Sequence, residues 1–172
     1  MFEFYLSFVL DWAAMSEERP KESKIKYFSE LERSMIEFMI FDHNESSATA
    51  FSEMADELGV EKDQIQAILT RLEAIANASR TAAITRAVKF AVMSEEIDNL
   101  RIPPIRRGEF NLKENQLIEA FNSGWTNSEI GRNLQINQDE FFRLRSAVFG
   151  KMDTKSRFMV VAALAKAERL NG

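Results

Sequence analysis

Near the end of the chain Asn137 and Glu140 stand three positions apart, followed by Phe141, Leu144 and Val148 at helical spacing. At about 100° per residue those three apolar side chains fall within about 60° of one another, so they face a core. Asp139, Phe142, Arg143 and Ser146 then point the opposite way, with Gln138 in the first turn. Such a face offers hydrogen bonding and contact. A guanidinium fork like that of Arg143 matches O6 and N7 of guanine, and an amide like Gln138 can reach a base edge.

The rest of the inventory removes most other chemistry. The chain has 172 residues, no cysteine and one histidine, His43. Thiolate nucleophiles, disulfides and thiolate metal sites are therefore excluded, and so are histidine clusters for a metal. His43 lies in the polar run His43-Asn44-Glu45-Ser46-Ser47, which reads as a loop. No glycine-rich phosphate loop and no credible nucleophile–base pair is present, so the chain is expected to be neither an enzyme nor a cofactor or metal carrier.

The elements that must position this face announce themselves by their caps. Asn111 with Glu114, Thr126 with Glu129 and Asn137 with Glu140 each follow the capping-box pattern, and together they predict three short helices. Leu117, Ile118 and Phe121 form the apolar stripe of the first, and Ile130 and Leu134 that of the second. Gly124 falls just past the first helix, where a left-handed residue is tolerated. A fourth helix is expected from about Lys155 through Met159, Val160, Ala163, Leu164 and Ala167. No run alternates with the two-residue period of a strand.

The front half repeats this pattern. Ser29 with Glu32 caps a stripe of Leu31, Met35, Ile36 and Met39, and Ile65, Ile68, Leu69 and Leu72 follow. Glu53-Met54-Ala55-Asp56-Glu57-Leu58-Gly59-Val60 aligns with Glu129-Ile130-Gly131-Arg132-Asn133-Leu134-Gln135-Ile136 at a shift of 76 residues. The stretch from Ser79 aligns with the one from Ser156 at a shift of 77. This reads as an internal duplication, with extra residues in the His43 loop of the first copy. Between the copies, Arg101 to Gly108 holds two prolines and a glycine, which rule out a continuous helix.

Charge separates the halves. Residues 1–100 carry 10 basic and 19 acidic side chains, and residues 101–172 carry 12 and 8, within a net charge of −5. The second half is the one expected to meet a polyanion. The opening Met1 to Trp12 is apolar but contains Glu3 and Asp11 and lacks the basic leader of a secretion signal. It is expected to be a helix buried against the body or against a second copy. No segment reaches membrane length, so a cytoplasmic protein with no membrane contact is expected.

Leu117-Ile118, Gly124 to Gly131, Leu134-Gln135-Ile136-Asn137, Lys151-Met152 and Ser156-Arg157 together resemble the LuxR/NarL-type (GerE-like) helix-turn-helix of transcription regulators. The likeness runs through the last third of the chain. The front copy resembles the family weakly, and its Met54-to-Arg80 stretch is also similar to the helix pair of a MarR-like winged helix. The resemblance implies an all-α chain, with an N-terminal helix followed by two related helix-turn-helix bundles. Residues 1–23 would form the helix and a linker, and 24–100 a degenerate copy for dimerisation or partner contact. Residues 101–109 would be a linker and 110–172 the DNA-binding domain.

The resemblance further implies a bacterial transcription regulator bound to double-stranded DNA, with its third helix in the major groove. Gln138, Phe142, Arg143 and Ser146 would face the bases. Thr126, Asn127, Arg145, Lys151, Lys155 and Arg157 would hold phosphates. In this family the last helix often forms the dimer contact, so Phe158, Val161, Ala162 and Ala165 are expected to join a homodimer. The chain departs from the family at Phe142, where a lysine is common, and at Leu144, where a polar residue is common. An outward Phe142 is therefore expected either to contact a partner or, as the preferred reading, to be covered by the front half. The alternative is an interaction protein, a co-regulator or anti-activator, that uses the same fold to bind another regulator or RNA polymerase through its acidic front half.

Overall fold

The computed structural model describes residues 28–41, 50–97 and 101–171. The opening helix expected over residues 1–23 and the loop around His43 lie outside these. The described residues form eight α-helices and no strand, so the chain is all-α. Four helices precede the proline-containing connection: α1 Glu30–Phe41, α2 Ala50–Leu58, α3 Lys62–Ala76 and α4 Arg80–Met93. Four follow it: α5 Leu112–Asn122, α6 Asn127–Leu134, α7 Gln138–Met152 and α8 Arg157–Asn171.

Local chemistry sets the helix ends. Asn111 and Thr126 cap α5 and α6, and the N3 glutamates Glu114 and Glu129 reach back to the capping residues' backbone. Ser29 and Glu32 do the same ahead of α1, with Ser29 N donating to Glu32 at 2.8 Å. At α7 only half of the expected box forms. Asn137 Oδ1 accepts from Glu140 N at 2.9 Å, but the Glu140 carboxylate is taken by Lys113 instead of returning to the cap.

The duplication read in the sequence reappears in the turns. Between α2 and α3, Gly59 is left-handed and Val60 N donates to Ala55 O at 3.0 Å. Between α6 and α7, 76 residues on, Gln135 is left-handed and Ile136 N donates to Gly131 O at 3.0 Å. Asn77 and Asp153 end α3 and α7 in the same left-handed conformation. A buried N3 glutamate braces each half: Glu32 pairs with Arg71 of α3, and Glu114 pairs with Lys151 of α7 at 2.6 Å.

The halves share one hydrophobic core. Its centre is the contact between the two fourth helices, α4 and α8, with α1 packed on both and α5 packed on α8. This corrects the expected dimer surface. Phe158, Val161, Ala162 and Ala165 are at most 5 % exposed within a single chain, because α4 and α1 already cover α8. An apolar helix face signals burial, and here its partner is the chain's own first copy.

Two contacts tighten this joint. Gly124, with φ +73°, sits so close to α4 that a Cβ would lie 2.7 Å from the Ala82 Cα. Ser156 Oγ donates to Met39 O at 2.5 Å and accepts from Phe158 N, tying the start of α8 to the end of α1. The connection after residue 100 is likewise packed. Ile102 is buried, Lys166 Nζ donates to its carbonyl at 2.7 Å, and the Arg101 guanidinium lies 4.1 Å from the Phe41 ring centroid.

Candidate nucleic-acid interface

The apolar stripe of α7 turns inward as its spacing requires. Phe141 and Val148 are buried and Leu144 is half-buried against the core. On the other side Gln138, Asp139, Phe142, Arg143 and Ser146 are exposed. Gln138, Phe142 and Ser146 follow each other at one-turn intervals, and Arg143 stands beside Phe142. Arg143 has no ion-pair partner among the described residues.

The starts of α6 and α7 open onto one recess of about 390 Å³, lined by Asn127, Ser128, Gly131, Ile136, Asn137, Gln138, Phe141 and Phe142. Three of the expected contact residues, Asn127, Gln138 and Phe142, therefore meet there. Of its other lining residues, Ser128 is the exposed hydroxyl that sequence reasoning passed over, and its position next to Asn127 was the available signal. Glu140, an acid that would repel phosphate at this tip, is occupied by Lys113 of α5. That pair spans 27 residues and leaves no local mark in the sequence.

Phe142 is not covered by the front half. It is 40 % exposed, with its ring centroid 5.6 Å from that of buried Phe141. The Arg145 guanidinium lies 5.0 Å from the Phe142 centroid, so this half-buried arginine braces the aromatic pair.

Besides Arg145, three expected phosphate partners are committed elsewhere. Arg157 is only 7 % exposed, and its guanidinium lies 4.5 Å from the Phe121 ring centroid, inside the bundle. A phosphate cannot reach it there. Lys151 donates to Glu114 at 2.6 Å and to Glu109 O at 3.0 Å. This lysine, with the Asn111 backbone N–H, holds the Glu114 carboxyl below the usual carboxylate range. The Thr126 hydroxyl serves the cap, donating to Glu129 at 2.8 Å and accepting from Glu129 N. The Thr126 backbone and hydroxyl donors likewise lower the Glu129 carboxyl. Lys155 is exposed in the turn between α7 and α8.

On α3, the counterpart of α7, the same face carries Asp63, Gln66, Ala67, Thr70, Arg71 and Ala74. Arg71 is engaged by Glu32, which leaves small and uncharged side chains at the centre. Among the described residues no helix is long and apolar enough to cross a membrane, and no cluster of acidic or histidine side chains could hold a metal. No family model, curated protein or solved structure matches the chain.

Proposed function

We propose that the chain is a cytoplasmic DNA-binding transcription regulator of the helix-turn-helix kind, with α7 entering the major groove. The observation that carries this reading is the exposed face of α7. Gln138, Arg143 and Ser146 surround Phe142 on a helix whose opposite side is fixed in the core. The three-residue turn Gln135–Asn137 between α6 and α7 supports it, as does the excess of basic side chains after residue 100. Asn127 and Lys155 are the accessible candidates for phosphate contact. Because α8 is occupied by α4, one chain presents one reading helix, and a single half-site follows in place of a palindrome built on that helix.

Fluorescence anisotropy with duplex DNA at two salt concentrations tests this. Binding that weakens steeply with salt is expected, since released counterions drive association with phosphates. A second reading, a protein-binding co-regulator, is favoured by the exposed Phe142 ring and the acidic front half. It calls for a salt-tolerant protein complex and no affinity for DNA.

A further inference from the structure

An exposed phenyl ring in the middle of a polar face needs a reason. Phe141 backs the Phe142 ring from the core and Arg145 lies against it. One turn before it stands Gln138, one turn after it Ser146, and beside it Arg143. The face is thus a single apolar spot framed by hydrogen-bonding groups. The floor of a DNA major groove has the same composition. Its base edges are donors and acceptors throughout, with one apolar group, the 5-methyl of thymine. The duplicate helix lacks the device, since Gln66 and Ala67 stand at the positions of Phe142 and Arg143.

Resting on the DNA-binding reading above, we propose that Phe142 is a specificity-determining residue that packs on the methyl group of a thymine, next to a guanine held by Arg143. The ring gains only where a methyl is present, because against a bare pyrimidine C5–H it meets less apolar surface. The complementary charge of Arg143 favours a nucleic acid over an apolar pocket on a protein as the occupant. Gln138 and Ser146 then read the base edges on either side along the groove.

The test uses the full chain. Sequences are selected from a random duplex pool, and each thymine of the selected site is replaced singly by deoxyuridine, which removes only the methyl. At one position the wild-type chain is expected to lose about fourfold in affinity, the value of one buried methyl. Phe142→Ala, checked for an unchanged helical spectrum, should bind the thymine and uracil duplexes equally, and Phe142→Leu should keep part of the difference. If the wild type binds the selected DNA but tolerates every replacement, the proposal is overturned while DNA binding stands. The same holds if Phe142→Ala keeps the difference. If no sequence is enriched from the pool, the DNA-binding reading falls and the proposal falls with it.

Discussion

The third helices of the two halves, α3 and α7, have the same length, the same preceding turn and the same left-handed ending, yet they present different faces. On α7 the exposed side holds Arg143 and an aromatic braced by Arg145; on α3 the matching positions are Ala67, Gln66 and a buried Leu69. The fourth helices differ in the same sense. Arg80 of α4 pairs at 3.1 Å with Glu73 near the surface, whereas its counterpart Arg157 is buried over Phe121. One framework, used twice, has kept the core pattern in both copies and an exposed face bearing arginine and phenylalanine in only one. What the first copy gained is the contact between α4 and α8. The apolar face of α8, expected from the sequence to join two chains, is satisfied here within one chain.

The joint between the copies should be the most sensitive place. Gly124→Ala combines a left-handed alanine with a clash against the Ala82 backbone and should cost about 2–4 kcal/mol in urea unfolding. Gly59→Ala, left-handed with nothing near its Cβ, should cost only about 1 kcal/mol. Equal losses would mean that the close approach of Gly124 to α4 carries no weight. The arginine pair comes next. Arg157→Ala should lose about 2–3 kcal/mol, because packing and a desolvated cation–ring contact go together, while Arg80→Ala should lose under about 1 kcal/mol.

The faces can be separated by affinity instead of stability. Arg143→Ala should weaken DNA binding about ten- to a hundredfold with an unchanged unfolding midpoint, and Ala67→Arg should leave binding as it was. A gain of binding from Ala67→Arg would place DNA on the first copy as well. A smaller effect concerns acid. The Glu114 carboxyl is lowered when folded, so its stabilisation is fully present above its unfolded pKa and is lost as pH falls through the lower folded value. Glu114→Gln should flatten that part of the unfolding profile. The smallest effect should be a gain. Gln135→Gly relieves a left-handed side chain at the position Gly59 fills in the first copy, adding about 0.5–1 kcal/mol.

What was legible in the sequence was local. The caps at Asn111 and Thr126 and the inward stripe of Phe141 and Val148 depend on neighbours a few positions away, and so does each of the two turns that match at a shift of 76 residues; all of these reappear in the structure. The reciprocal cap at Glu140 did not form, because Lys113 competes for it from another helix. Arg157 looked like a phosphate ligand because a sequence shows charge and not depth. Its burial depends on α8 meeting both α4 and α5, and the bond from Ser156 to Met39 that sets the start of α8 spans 117 residues. In the same way an apolar face on α8 announced that something covers it, without saying that the cover belongs to the same chain.

The most direct measurement is the affinity of the full chain for duplex DNA as salt is raised, wild type beside Arg143→Ala. A linear fall of log affinity with log salt, and a weaker Arg143→Ala at every salt concentration, is the expected result. The absence of DNA binding, or binding that ignores both the salt and Arg143, would contradict a DNA-reading face on α7.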